Sequence, residues 1–262
     1  MARKKRWVQK SFDKGVQEIE LFSWDYFGDY IYQTLLDLKT YVFRGHRRDD
    51  WKLEPTIDRD LKWLHGLQRE KRLVGHLEGF KQATRGRRGS NPPRLETEND
   101  WWALGQHYGL STPLLDWTTS PYVGAFFAFE KSKHDDKPRR AIWCLSQSSV
   151  LNKSNEVSTN FQGEGKPPVV EFARPLSDEN SRLVNQGGLF TRSPLGIDLE
   201  RWVKENFPES RSCILIKITV PNTDRAKCLK ELNRMNINYL TLFPDLYGCS
   251  LHCNTALKIP SY

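Results

Sequence analysis

The sequence predicts an α+β fold with a helical N-terminal half. Helical patterns dominate the first half of the chain, and short β-rich runs cluster in the second. None of those runs is followed by the glycine fingerprint of a P-loop or a dinucleotide-binding Rossmann unit, and no internal repeat is visible. At 262 residues the chain has room for one large domain or two small ones, with ample burial and no need of disulfides or metals.

The elements follow in order. Residues 1–22 form a basic N-terminal arm, or a first strand if Trp7, Val8 and Ile19 pack. From Ser23 to Thr40 a capped helix is expected, with Phe27, Ile31, Leu35 and Leu38 at helical spacing and Gly28 a blemish. Tyr41, Val42 and Phe43 make a short strand that ends at Arg44-Gly45. Residues 51–61 look like a strand, a loop and a helix start, and a long helix runs from about Leu61 to Thr84. Arg85 to Arg94 holds four Arg, two Gly, two Pro and no acid, so it cannot stay regular and forms a surface loop. Glu98 to Tyr108 is a further helix.

After an apolar run, Asp116, Trp117, Thr118, Thr119 and Ser120 precede a helix begun by Pro121. Proline suits a first helical turn, where the missing N–H would have no partner anyway, and Ser120 is a good N-cap. Val123, Ala125, Phe126, Phe127 and Phe129 give an apolar face too wide for a surface helix, so this one is buried. Later come a strand at 141–145, a long polar loop at 146–166 and a strand at 169–172. Ser181 to Gln186 leads into Gly187-Gly188, and a short helix covers 199–207. The clearest strand, 213–220, stops at Pro221. A helix at 224–235 and an extended segment at 237–246 follow.

The net charge of +8 and pI of about 9.2 point to a nucleic acid or another anionic partner. Nine Trp, nine Tyr and thirteen Phe are many for this length, and aromatic rings among Arg and Lys are what unpaired bases stack on. No apolar run is long enough to span a bilayer, and the basic N-terminus lacks the apolar stretch of a secretory signal, so a cytoplasmic protein without membrane partners is expected. Five scattered cysteines suit a reduced chain. The Cys249–Cys253 stretch has no second ligand pair, so no metal is expected.

Several residues could carry chemistry. Arg44 can fork onto a phosphate or ribose while Gly45 lets the backbone approach a ligand, although Arg47 and Arg48 make an ordinary basic surface the plainer alternative. Asp116, expected to be partly buried, needs a cation, and Arg44 is assigned to it. The helix start at Ser120 suits an anion such as pyrophosphate, or is a plain cap. His107 is an acid or base, a stacking ring, or a core residue, the last being commonest. Gln186 stands beside paired glycines that permit close ligand approach or form a simple turn. Asp245 either caps the segment after it or faces a pocket. Arg85, Arg87, Arg88 and Arg94 make a phosphate-contacting loop or a solvated connector.

Taken in order, YVFRG, QHYGLSTPLLDWTTSPYVGAFFAF, NQGGLFT and NYLTLFPDLYG resemble the FRG domain, a family named for its Phe-Arg-Gly motif. The resemblance spans about residues 20 to 255 and implies a single domain over 23–262. It departs from the family pattern at Pro113-Leu114, where an Arg is usual. The FRG layout in turn resembles the ADP-ribosyltransferase fold, a split antiparallel or mixed sheet that holds NAD in a cleft. That implies a donor site of Arg44, Gly45, Asp116, Thr118, Thr119 and Ser120, with the hydroxyls lining the nicotinamide ribose. Arg44, Gln186, Asp245 and His107 are the implied catalytic set. Gln186 stands where a Glu is expected, and Glu171 and Asp245 are the alternative acids. The implied function is an NAD-dependent ADP-ribosyltransferase toxin acting on nucleic acid, RNA foremost. The implied setting is a toxin–antitoxin or anti-phage one, with an antitoxin as partner. The alternative is a nucleotide- or RNA-binding module without turnover, because a neutral amide stabilises an oxocarbenium-like ribose less well than a carboxylate.

Overall fold

The computed structural model describes residues 5–175 and 181–262. The described part of the expected N-terminal arm, residues 5–22, supplies two strands where one was the alternative to an arm. Strands β1 (Trp7–Asp13) and β2 (Val16–Leu21) form a hairpin that turns through Lys14 and Gly15, both at positive φ. Ser23 caps a short 3-10 turn (Trp24–Tyr26) ahead of α1 (Phe27–Thr34), which ends well before Thr40. Next come β3 (Tyr41–His46), α2 (Thr56–Asp60), α3 (Gly66–Ala83) and α4 (Glu98–His107). The strand expected after Trp51 is irregular chain.

Strand β4 (Leu114–Thr118) leads into α5 (Pro121–Phe129), with Ser120 as its N-cap, and then β5 (Arg139–Ser146). Residues 147–160 are not a loop but α6 (Gln147–Asn160). Only Val150 and Ser154 are buried on it, one turn apart, so a single apolar residue marks the face and the pattern looked polar throughout. The chain continues through β6 (Glu171–Ala173), α7 (Ser181–Asn185), β7 (Gly188–Arg192), α8 (Leu199–Asn206) and β8 (Leu215–Pro221). After a second 3-10 turn come α9 (Arg225–Arg234), α10 (Tyr239–Leu242) and α11 (Leu246–Lys258). The extended segment expected at 237–246 is instead α10 and the entry to α11. Asn238 and Thr241 form a capping box that outweighs the weak helix propensity of the run.

The eight strands among the described residues make one sheet, in the order β1-β2-β8-β5-β3-β4-β7-β6. Only β2 and β8 pair in parallel, so the sheet is mixed. Four of the strands come from the first 118 residues, which corrects the expectation of a helical N-terminal half. Alternation along the central strands feeds two cores. Phe43, Ile142 and Cys144 face α1, α5 and α9, whereas Val42, Ala141, Trp143 and Leu145 face α6 and α8. A third cluster joins α2, α3 and α4 to Leu114 and Phe190. Among the described residues no helix is long and apolar enough to cross a membrane.

Two features of this sheet position the site. First, α5 lies directly on β3. A Cβ on Gly45 would sit 2.8 Å from the Phe127 carbonyl carbon and nearer still to Gly124 O and Ala128 N. The glycine is therefore required for helix-on-strand packing, an obligation beyond the ligand approach expected of it. Second, β3 pairs with β5 at six positions and β4 with β7 at five, but β3 pairs with β4 only at Phe43–Thr118. Beyond that pair the ladder stops and the sheet opens.

Candidate functional site

A cleft of about 620 Å³ lies where β3 and β4 part. Arg44 and Asp116 stand on its floor, the ends of α4 and α5 form one side, and α7 with Phe243 forms the other. Arg44 spans the gap that the ladder leaves. Its Nη1 donates to the Asp116 carbonyl at 2.7 Å, with Asp116 Oδ2 at 3.3 Å, and its Nε donates to His46 Nε2 at 3.2 Å. The expected Arg44–Asp116 pair is thus present, although the Asp116 side chain is 63% exposed rather than buried. Gln106 Nε2 donates to the other Asp116 oxygen at 2.7 Å, and the Thr112 hydroxyl donates to Gln106 Oε1. Arg44 Nη2 has no partner among the described residues. A mostly buried guanidinium is thereby locked at two nitrogens and left open at the third.

His46 completes the floor. Burial, and next the Arg44 cation, hold its pKa well below the ordinary histidine value, so it is neutral. Arg44 Nε and Trp143 Nε1 each lie 3.2 Å from one of its ring nitrogens. A neutral imidazole accepts at only one of them, and protonation would remove that acceptor too.

The hydroxyls of the β4–α5 corner are largely committed to structure. Thr118 donates to the Gln186 carbonyl at 2.6 Å and accepts from Ser120 N–H at 3.1 Å. Thr119 N–H donates to Gly187 O at 3.0 Å, and Ser120 Oγ accepts from Val123 N–H at 3.3 Å. These bonds stitch the corner to the start of β7. Of Thr118, Thr119 and Ser120, only Thr118 lines the cleft. Gly187, at positive φ, leaves room for the Thr119 hydroxyl.

The expected catalytic residues fare differently from one another. His107 ends α4, half-buried at the cleft, and so is not a core residue. Burial, then Arg182, push its pKa below the ordinary value, and Tyr108 packs edge-on 4.8 Å away. Gln186 lines the cleft, but its Nε2 donates to Leu242 O at 3.0 Å and staples α7 to α10. Asp245 takes the capping role. It accepts from Gly248 N–H at 2.8 Å, pairs with Arg182, and does not line the cleft. Glu171 lies on β6 and accepts from Asn99 Nδ2, also away from the cleft.

Arg85 to Arg94 is irregular, as expected. Arg87 donates to Ala83 O at the end of α3, and Arg88 lies over Trp101 and donates to Pro93 O. Arg85 and Arg94 are exposed, and none of the four lines the cleft.

Comparison with known families bears on the floor of this cleft. Residues 39–137 match the FRG domain. The match covers somewhat over a third of the chain, from the start of β3 to the segment after α5. No curated protein and no solved structure matches the chain. The FRG segment carries Arg44, Gly45, His107, Asp116 and the Thr118–Ser120 corner, and the facing wall with Arg182, Gln186 and Phe243 lies outside it.

That facing wall holds a residue that sequence reasoning missed. Arg182 lines the cleft, paired with Asp245 through Nε at 2.9 Å, with its guanidinium 5.3 Å from the Phe243 ring and 5.6 Å from Tyr247. Its position one helical turn before Gln186 was the available signal. Gln106, His46, Trp51, Lys131 and Lys133 also line or support the cleft beside the FRG motifs. Arg44, Arg47, Lys131, Lys133 and Arg182 line the cleft, but Arg44 pairs with Asp116, Lys131 with Glu130 and Arg182 with Asp245. Lys133 and the open donors of the paired cations are what an anion would meet. Arg47 is already tied to Asp135 and Asp136.

Proposed function

We propose that the cleft binds a nucleotide by its phosphates, with NAD the first candidate, and that the protein is an ADP-ribosyltransferase using NAD as donor. The observation that carries this reading is Arg44, fixed by Asp116 and His46 with Nη2 uncommitted, at the floor of a cation-rich cleft. Guanidinium groups at Arg44 and Arg182 suit phosphate oxygens, and the Trp51 and Phe243 rings offer flat faces to a base or nicotinamide. The residues present therefore fit the phosphates and rings of a dinucleotide. NAD would supply a ribose carbon with nicotinamide as leaving group, and Arg44 and Arg182 would hold and orient the diphosphate. RNA is the favoured acceptor on the net charge of +8 and the exposed Arg85 and Arg94. The toxin or anti-phage setting and an antitoxin partner rest on the FRG resemblance alone.

Labelled NAD incubated with the protein and total cellular RNA, DNA and protein tests the reading. Nicotinamide release and label on RNA are expected, with both lost in Arg44→Ala. Equal labelling by wild type and Arg44→Ala would sink it. Expression should be toxic, and the same substitution should relieve it.

A second reading, nucleotide or RNA binding without turnover, draws on a specific observation. Gln186 and Asp245, expected in the chemistry, are engaged in structural bonds, and Ser120 is spent as a cap. Salt-sensitive RNA binding with no nicotinamide release would select it.

A further inference from the structure

A second, smaller cavity of about 240 Å³ adjoins the cleft. Arg44, Gln106 and Asp116 line both, so this hydrogen-bonded unit is the wall between them. The far side of the small cavity is formed by Glu54, Thr56 and Arg59, and Leu110, Leu114 and Leu115 back it. It is too small for a nucleotide and large enough for one compact polar group.

Two cations, Arg44 and Arg59, and two carboxylates, Glu54 and Asp116, line it, and their pairing is uneven. Arg59 Nη1 donates to the Glu54 carbonyl at 2.7 Å and its Nη2 to Thr56 Oγ1 at 3.1 Å, both neutral acceptors. No described carboxylate pairs with Arg59, since the Glu54 carboxylate turns to Lys62 at 3.4 Å. Arg44, whose Nη2 is uncommitted, lines the same cavity. Two guanidinium groups therefore line one small cavity, only one of them with a carboxylate partner. The Thr56 hydroxyl, which accepts from Arg59, keeps its own hydrogen to donate.

We propose that this cavity is a binding site for a phosphate-sized oxyanion, held between Arg59 and Arg44 with the Thr56 hydroxyl as a further donor. Arg44 then serves two ligand sites through one side chain. Its one uncommitted nitrogen is shared between the cavities and two bound anions repel, so the two sites compete. The site stands whether or not the large cleft takes a nucleotide, because Arg59 and Thr56 do not line that cleft.

Titration of inorganic phosphate into the full chain, followed by NMR or calorimetry, tests the site. Wild type should bind saturably, and Arg59→Gln should weaken binding about tenfold or more. Thr56→Val should weaken it less, and Arg211→Gln, at an exposed arginine that lines neither cavity, should leave it within about twofold. Arg59 and Thr56 are exposed, so thermal unfolding should confirm that these variants fold. A parallel titration with ADP separates the sources of the oxyanion. Unchanged ADP affinity in Arg59→Gln marks a free anion, and a matching loss marks one ligand reaching across both cavities. Phosphate binding unchanged in Arg59→Gln, or weakened as much in Arg211→Gln as in Arg59→Gln, would overturn the proposal.

Discussion

Arg44 and Gly45 are neighbours with opposite obligations, one to the ligand side and one to the core. Gly45 faces α5 so closely that Gly45→Ala should cost about 3 kcal/mol, measured as a lower urea midpoint. A wild-type midpoint in that variant would show that α5 can move aside. His46 gives a pH dependence. Its folded pKa lies well below the ordinary 6.5, so the unfolded chain takes up a proton first as pH falls. The contribution is complete above about pH 6.5 and is lost progressively below it. His46→Gln should flatten the slope of stability between pH 7.5 and 5, and an unchanged slope would remove His46 as its source. At this scale the Arg44–Asp116 pair was expected from burial of the carboxylate. The pair is present, but the carboxylate is mostly exposed, so the burial that argued for it is not what holds it. Arg182 and Asp245 were not paired in advance, because Asp245 had a local capping role open to it and no motif singled out Arg182.

Among the elements, α5 is the anchor. Ala125, Phe126, Ala128 and Phe129 have no exposed surface, and Phe126→Ala should cost about 3–5 kcal/mol. The corner before it should respond in a graded way. Ser120→Ala removes a cap worth about 1 kcal/mol, whereas Thr119→Ala, at an exposed hydroxyl, should leave stability within about 0.5 kcal/mol. Chemical denaturation of the three variants checks the order, and a Thr119→Ala loss as large as that of Phe126→Ala would contradict it. Elements with dense apolar runs, such as α5, β5 and β8, were legible in the sequence. Helix α6 was not, because Val150 and Ser154 alone mark its buried face. Nor was α10, a four-residue turn that exists through the Asn238–Thr241 box and through packing of Tyr239 on Phe126.

At the scale of the whole molecule, the sheet is continuous in its order of strands but nearly parted in the middle. Phe43–Thr118 is the single hinge-like pair between two well-laddered halves, and the cleft is the space that this leaves. A mixed α and β architecture was legible from patterning. The entry of residues 7–21 into the sheet was not, because the parallel β2–β8 pairing joins segments about 200 residues apart, which local pattern cannot report. The FRG match covers one wall of the cleft, and the other wall is supplied by chain beyond it. A ligand held by Arg44 alone would need only the first wall, whereas a dinucleotide needs both. The most direct measurement is calorimetric titration of NAD into wild type, Arg44→Ala and Arg182→Ala, each shown to be folded. Saturable one-site binding by wild type, weakened about tenfold or more by either substitution, is the expected result. No binding by wild type, or equal affinity in all three, would contradict a nucleotide cleft between β3 and α7.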